Sequence, residues 1–302
     1  MAITGAPMRL DRWLLAQPGL TGLGRRPLAE ILSAGRVRVN GVRARKGTIV
    51  RAGDVVTFTA AADGATAPSA VDPLHELYAD EDVLAFDKPP GIPSTVGRTP
   101  GASIAGALLE RHPDMATFGD ARHAGLVHRL DTGTSGLLLA ARHAGAHIRL
   151  RTAFAAKRIT KDYLAVVLGR VESDTVVTTP LARAPRSRRR MMVARPDRGW
   201  PARTEITPLA TDGTLTVVGL RMRTGVTHQL RVHLASLGHP VLGDVRYGGP
   251  DARPDVGVQL ADWHHLHARA VTFDDADLPQ AIATPFPPHW RALFAARGWR
   301  QD

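Results

Sequence analysis

A short polar loop between two apolar runs carries the residue types that could do chemistry. His128, Arg129 and Asp131 follow an apolar pair, 132–136 is a turn of small residues, and 137–141 is typical of a buried strand. Glycine has no side chain to exclude a ligand backbone, so a carboxylate on such a loop is well placed for chemistry. The alternative is an ordinary β-turn with an aspartate cap. The motifs in the rest of the chain favour a catalytic role for this loop.

Four further motifs accompany this loop. They are Leu84-Ala-Phe-Asp-Lys-Pro-Pro-Gly91, Lys161-Asp-Tyr163, Thr224-Gly-Val-Thr-His-Gln-Leu-Arg-Val-His233 and Gly238-His-Pro-Val-Leu-Gly-Asp244. Each is weak alone. Together and in this order, the five motifs resemble the RluA-type family of RNA pseudouridine synthases, over about residues 75–295.

The resemblance implies an isomerase that detaches uracil from its ribose, turns it and reattaches it through carbon five, without a cofactor. Asp131 matches the family's acid, which acts as a nucleophile or as a base on the neighbouring sugar carbon. Burial alone would raise its pKa, so a buried cation is needed to keep it ionised. Arg231 matches the family's salt-bridge partner, and such a pair can be bidentate. Tyr163 matches the aromatic residue that stacks on the target base and helps remove its proton.

Other residues are assigned to substrate binding. The resemblance links Arg129 to flipping the target uridine out of its helix or loop. We expect His128 to brace the loop through hydrogen bonds, Thr134 to line the turn beside Asp131, and Lys88 to contact the pocket or a phosphate, with a plain surface lysine as the alternative.

The stretch 183–203 is rich in arginine with Met191, Met192 and Trp200 interleaved. Charge runs are usually solvated faces, but beside an RNA enzyme's cleft this stretch predicts a phosphate clamp, with Arg190 as a substrate contact. One departure from the family is Val226, where an arginine is usual. It removes a cation near the pocket and leaves the three catalytic candidates in place.

The composition excludes several classes of site. The chain has 302 residues, 44% hydrophobic, and no cysteine, which excludes disulfides, thiolate metal sites and a cysteine nucleophile. Six histidines raise the alternative of zinc, but their spacing matches no standard site, so we expect no metal: His228, His233, His239, His264, His265 and His267. No signal peptide or membrane span is apparent, and we expect a cytoplasmic, monomeric protein with no membrane partner.

Residues 8–58 are predicted to form a separate module. They carry ten Lys/Arg against three Asp/Glu, which points to an anionic polymer as partner. Helical spacing near Leu10 and Leu28 precedes a basic, alternating segment that ends in Asn-Gly, a strong hairpin signal. The module resembles the S-four RNA-binding domain, which implies RNA contacts from Arg25, Arg26, Arg36, Arg38 and Arg43.

We therefore predict an α+β protein with three parts: an S-four-like RNA-binding domain at 8–58, a flexible linker at 59–73 and a catalytic domain at 74–302 with a mixed, largely antiparallel sheet. The predicted function is an RNA pseudouridine synthase acting on ribosomal RNA of the large subunit (23S), or on transfer RNA. The alternatives are a non-catalytic RNA-binding or ribosome-assembly protein and a glycosylase. A glycosylase needs a second acid, and Asp244 is interpreted as a structural turn residue.

Overall fold

The protein divides into two compact units, Met1–Thr66 and Ala67–Asp302. The computed structural model describes residues 7–15, 37–44, 47–58, 74–96, 102–118, 122–185, 187, 190–260, 262–276 and 278–301. The boundary between the units falls within the predicted linker, which lies outside the described residues.

The N-terminal unit is a small α+β structure. Helix α1 (Leu10–Leu15) packs with strands β1 (Met8–Arg9), β2 (Val37–Val39), β3 (Val42–Arg43), β4 (Ile49–Val50) and β5 (Val56–Phe58). Asn40 and Gly41 both have positive φ, the conformation of the tight hairpin turn that Asn-Gly predicts. The turn aligns Arg38 with Arg43 across the hairpin.

The predicted basic surface of this unit is described only in part. The side chain of Arg38 is exposed and donates to the carbonyl of Gly41 at 2.9 Å. The side chain of Arg43, the residues Arg25, Arg26 and Arg36, and the predicted second helix lie outside the described parts of the chain.

The second unit is built on one large sheet. Its strands are β6 (His75–Ala79), β7 (Val83–Lys88), β8 (Ser135–Ala141), β9 (Ile159–Leu168), β10 (Thr175–Val177), β11 (Leu181–Arg183), β12 (Met191–Val193), β13 (Thr204–Thr211), β14 (Leu215–Met222), β15 (Leu266–Phe273) and β16 (Ala281–Ala283). Strands β11 and β12 form a separate hairpin. The large sheet has the order β10-β13-β14-β9-β15-β8-β7-β6, with β16 on β15, and only the β8–β15 pair is parallel among its described pairings.

Strand β8 lies inside the sheet, and every one of its residues is buried. This explains why its sequence is a continuous small and apolar run instead of an alternating one. At its start, Gly136 has a φ of +103°, and a side chain there would collide with the backbone of Ala268 on β15. The glycine therefore allows β15 to lie directly against the end of the Asp131 loop.

Four helices flank this sheet in the described residues: α2 (Ile104–Arg111), α3 (Ala144–Ala155), α4 (Gln229–Ser236) and α5 (Arg291–Ala296). Short 3-10 turns occur at Pro113–Thr117, Pro250–Ala252 and Pro288–Trp290. Ser103 caps α2 by accepting a hydrogen bond from the amide of Gly106 at 3.1 Å. Within the described residues, no helix has the length and apolar character that a membrane crossing requires.

The α+β class and the largely antiparallel sheet are confirmed. The strand predicted at 137–141 corresponds to β8. Helix α4 is not anticipated, because its residues 229–234 are all buried and leave no apolar stripe in the sequence.

Candidate active site

Asp131 lies on the loop that enters β8. Its carbonyl accepts a hydrogen bond from the amide of Thr134 at 3.0 Å, which closes the predicted turn. The hydroxyl of Ser94 bonds both the amide and the carbonyl of Leu130, at 3.0 and 2.9 Å, and so ties the loop to the segment after β7. The backbone on both sides of Asp131 is therefore fixed, while 24% of its side chain remains exposed.

Arg231, on α4, joins two carboxylates. Its Nη1 donates to Asp131 Oδ2 at 2.9 Å, as the motif predicts. Its Nε and Nη2 donate to the two oxygens of Asp244, at 2.6 and 2.7 Å. The bidentate partner of Arg231 is thus Asp244, and the predicted contact with Asp131 is a single hydrogen bond.

Asp244 also holds the local turn, because its Oδ1 accepts from the amides of Arg246 and Tyr247 at 3.2 and 3.3 Å. Its side chain is only 1% exposed. The interpretation of Asp244 as a turn residue is therefore correct but incomplete: the turn aims its carboxylate at Arg231. Two paired donors fix the guanidinium plane, which a single bond cannot do.

His228 and Tyr247 lie against the same pair. His228 precedes α4 with a φ of +56°, and its Nε2 is 3.7 Å from Asp131 Oδ1. Its Nδ1 is 2.6 Å from the hydroxyl of Tyr247, which accepts from the amide of Met191 at 3.0 Å. Two arginines lie over the Tyr247 ring, with Arg231 Cζ at 5.1 Å and Arg190 Cζ at 5.6 Å from its centroid.

The electrostatics of the site keep Asp131 ionised. Burial raises the pKa of Asp131, but His228 in its protonated form and Arg231 outweigh that effect and hold the pKa below its ordinary value. Burial likewise acts to lower the pKa of Arg231, yet Asp244 and Asp131 keep it above its ordinary value. A carboxylate is therefore presented to the cleft at neutral pH.

That cleft has a volume of about 560 Å³. Asp131 and Arg231 lie on its wall with Tyr163, which is 6% exposed on β9. Burial and the nearby Asp131 raise the pKa of Tyr163 far above its ordinary value. The phenol is therefore protonated at neutral pH and is a hydrogen-bond donor there, not a resident base.

Comparison with known proteins decides the class of the site. The family model described as RNA pseudouridylate synthase matches residues 82–236, a span that contains Asp131, Tyr163 and Arg231. The chain belongs to the RNA pseudouridine synthase family. As a member of this family it is an isomerase.

Relatives and a solved structure agree. A ribosomal large subunit pseudouridine synthase D of Vibrio parahaemolyticus is 37% identical over 74% of this chain and 68% of its own length. The protein of the same name from Xylella fastidiosa is 35% identical over 89% of this chain and 83% of its own. The structure of human RNA pseudouridylate synthase domain containing 1 covers 76% of this chain and 96% of its own, with 26% identity and a TM-score of 0.58.

The pseudouridine synthase cleft includes most of the other predicted residues. Arg129 is exposed and donates to the hydroxyl of Thr227 at 3.1 Å. Thr134 is buried, with its hydroxyl 2.8 Å from His264 Nε2. His128 accepts from the amide of Leu139 at 3.0 Å and so braces the loop against β8. Both His128 and Thr134 also line the cleft.

The expected substrate contact from Lys88 is wrong. Its side chain is fully buried, and its ammonium donates to the carbonyls of Pro89, Ile92 and Thr132 at 2.8, 2.9 and 3.2 Å. A cation enclosed by three carbonyls is not available to a phosphate. Lys88 instead joins the Lys-Pro-Pro-Gly loop to the Asp131 loop.

The Arg-rich stretch is partly described. Arg183 ends β11 and Met191 begins β12, and the backbone of Arg190 bonds Ala184 at 2.9 Å. Arg186, Arg188 and Arg189 lie outside the described residues. Val226 packs against the apolar cluster under this hairpin, which includes Leu181. Its aliphatic side chain therefore supports the hairpin and lines the cleft at the same time.

The histidines that raised the question of zinc are engaged in hydrogen bonds. His267 bonds the hydroxyls of Ser135 and Thr284 at 2.9 and 2.7 Å, and His233 bonds Thr204 and the carbonyl of Thr179 at 2.9 and 3.0 Å. His265 stacks on Trp290. These bonds and ring contacts give His233, His265 and His267 a structural role in the core.

The sequence analysis assigns no role to two residues at the site, the cleft residue Lys161 and the neighbouring Tyr247. Lys161, the first residue of the Lys-Asp-Tyr motif, is 6% exposed, donates to the carbonyl of Thr224 at 2.7 Å and lies 5.7 Å from the Phe154 ring centroid. Burial lowers its pKa to about 8. Tyr247 follows the Gly-Asp244 motif by three residues, so reading that motif further along the chain would have included it.

Proposed function

We propose that this chain isomerises uridines in the ribosomal RNA of the large subunit, with Asp131 as the residue that reacts at the ribose. The observation that carries this proposal is the Asp131–Arg231 pair beside Tyr163 in one cleft. The bacterial relatives are ribosomal large subunit pseudouridine synthases D, and this supports the choice of RNA. The cytoplasm, where ribosomal RNA is made, is the expected compartment.

The chemistry needs no external reagent. The bond between nitrogen one of uracil and the anomeric carbon breaks, a bond from carbon five forms, carbon five loses a proton and nitrogen one gains one. The ionised Asp131 either attacks the anomeric carbon or removes the proton of the neighbouring sugar carbon. Arg231 keeps the carboxylate charged and oriented. Tyr163 stacks on the base, and its protonated phenol relays the proton.

Three regions handle the RNA in this proposal. Arg129 assists the flipping of the target uridine, and the hairpin that carries Arg190 contacts phosphates. The basic module at 8–58, joined by 59–73 to the catalytic domain at 74–302, holds structured RNA through Arg25, Arg26, Arg36, Arg38 and Arg43. Its resemblance to the S-four domain and its excess of positive charge support this role.

The test is to map pseudouridines in total RNA from cells that lack the gene and from cells complemented with wild type, Asp131→Asn or Asp174→Asn. Asp174 is exposed in the turn before β10 and is a matched control. We expect one or more large-subunit sites to vanish on deletion and to return with wild type and Asp174→Asn only.

Other outcomes contradict defined parts of the proposal. Loss confined to transfer RNA would overturn the ribosomal target and leave the chemistry intact. Restoration by Asp131→Asn would remove Asp131 from the reaction. No change at any site would favour the non-catalytic RNA-binding alternative.

A further inference from the structure

A second cleft, of about 410 Å³, meets the first at the reactive pair. Arg129, Asp131, His228 and Arg231 line both clefts. The reaction proposed above accounts for the first cleft, which contains Tyr163. The second is lined in addition by residues that the reaction does not use: Ser94, Thr95, Arg246, Asp262, Trp263 and His264.

Trp263 is the largest apolar group in this second cleft. It is 40% exposed, and its indole lies so close to Gly91 that a Cβ there would be 2.9 Å from the ring. Gly91 has a φ of +89°, and its amide donates to the carbonyl of Thr132 at 2.8 Å. Lys88 binds the carbonyls of Pro89 and Thr132 and so joins the Lys-Pro-Pro-Gly loop to the Asp131 loop. The backbone beneath the indole is therefore held in place relative to Asp131.

The charges around Trp263 suit an anionic ligand with a flat apolar part. Arg129 and Arg246 are exposed cations in the wall of this cleft. Of the carboxylates in this wall, Asp131 and Asp244 are paired with Arg231, and the exposed Asp262 lies 3.7 Å from Arg253. An aromatic platform flanked by arginines is the arrangement that binds single-stranded nucleic acid through stacking and phosphate contacts.

We propose that the second cleft binds the unpaired nucleotide next to the target uridine, with its base stacked on Trp263 and its phosphate near Arg129 and Arg246. The inference rests on the proposed function, since it assumes an RNA strand at Asp131. A flipped uridine stays covalently joined to its neighbours, so its entry into the first cleft brings an adjacent nucleotide to the mouth of the second. Stacking tolerates any base, so Trp263 contributes affinity without reading sequence.

The first experiment measures kcat and KM for release of tritium from carbon five of uridine in transcribed large-subunit RNA. We expect Trp263→Ala to raise KM about tenfold and to retain kcat, because it removes the stacking of one base on the indole. Trp263→Phe keeps an aromatic face and should restore most of the affinity. Leu209→Ala, which removes an exposed apolar side chain from β13, is the control, and thermal unfolding verifies that each variant is folded.

The second experiment separates this inference from the proposed function. Binding of a fluorescein-labelled oligouridylate of about eight nucleotides, a length typical of single-stranded sites, is followed by anisotropy. We expect Trp263→Ala to weaken binding about tenfold and Arg246→Gln to lower the salt dependence by about one released counterion. Wild-type affinity and KM in Trp263→Ala would overturn the inference. Absence of tritium release by the wild type would overturn the ribosomal target instead, and the oligouridylate result would still decide the role of Trp263.

Discussion

Arg231 makes two hydrogen bonds to Asp244, at 2.6 and 2.7 Å, and one to Asp131, at 2.9 Å. The buried carboxylate fixes the guanidinium, and the guanidinium then presents a single N–H to the reactive carboxylate. The second oxygen of Asp131 is thereby left to the cleft, 3.7 Å from His228. The geometry of the reactive acid therefore depends on a residue that does not touch the substrate.

Asp244→Asn tests this dependence. The amide retains one acceptor but no charge, so Arg231 loses its bidentate partner and its fixed plane. We expect kcat to fall about tenfold to a hundredfold, with KM for RNA nearly unchanged, because misplaced catalytic groups act on the chemical step. Asp244→Ala should in addition destabilise the fold by about 3 kcal/mol, since it leaves the buried Arg231 with one partner. Equal effects on kcat and KM would argue for a direct contact with RNA.

Tyr247→Phe removes the hydroxyl that connects Met191 to His228. Because this hydroxyl accepts from the Met191 amide, it can donate to His228 Nδ1, which leaves the proton of the neutral ring on Nε2, facing Asp131. Burial lowers the pKa of His228, so the ring is neutral at pH 7. Nitrogen NMR of the wild type should show the Nε2–H tautomer, and Tyr247→Phe should give a mixture. A wild-type ring protonated on Nδ1 would contradict this arrangement.

Tyr163→Phe separates stacking from proton transfer. Phenylalanine keeps the aromatic face, so we expect an unchanged KM and a kcat reduced about a hundredfold, the typical contribution of a positioned proton donor or acceptor. Because the pKa of Tyr163 is raised, no phenolate absorbance from this residue should appear in the wild type up to pH 10. An ionisation of Tyr163 below pH 9 would restore the expectation that it acts as a base.

Lys88→Met distinguishes a structural lysine from a phosphate contact. Its loss leaves three buried carbonyls without their donor, which should cost about 1–3 kcal/mol of stability. RNA affinity should keep the salt dependence of the wild type, because no phosphate contact is lost. Arg190→Gln is the comparison, since it should lower that dependence by about one counterion. A lower salt dependence in Lys88→Met would return this residue to the RNA-binding surface.

The buried histidines predict a loss of stability in mild acid. Burial lowers the pKa of His264 and His267 to about 3 and of His265 to about 4, from 6.5 in the unfolded chain. Between pH 6.5 and 4 the unfolded state therefore binds more protons, so stability is full above pH 6.5 and decreases as pH falls. Each group contributes a slope of up to about 1.4 kcal/mol per pH unit.

Unfolding by urea at several pH values measures this slope. His267→Gln should be less stable at pH 7 but should show a shallower decline towards pH 4.5. The control is Leu209→Ala, which removes an exposed side chain without an ionisable group from β13 and should leave the slope unchanged. An identical slope in His267→Gln would mean that other groups cause the acid sensitivity.

Features that depend only on neighbouring residues can be predicted from the sequence, and features that depend on residues far apart in the chain cannot, except where a family resemblance supplies them. Ser103 as a cap and Asn40-Gly41 as a turn are local, so residue type alone predicts them. The placement of Asp131 beside Arg231 follows from family motifs a hundred residues apart. The role of Asp244 cannot be predicted in this way. A turn aspartate and a charge partner of an arginine look the same in the sequence, and only the fold brings α4 to the turn. The sequence does not predict the structural role of Lys88, because the residues next to it in the chain do not reveal that three carbonyls enclose its ammonium group.

The most direct test of the central claim is release of tritium from carbon five of uridine in large-subunit RNA by wild type and by Asp131→Asn. The asparagine keeps the size of the side chain, and RNA binding measured in parallel should be unchanged. We expect stoichiometric release at the modified sites with wild type and none with Asp131→Asn. Release by Asp131→Asn at a rate near that of the wild type would contradict the assignment of Asp131 as the reacting residue.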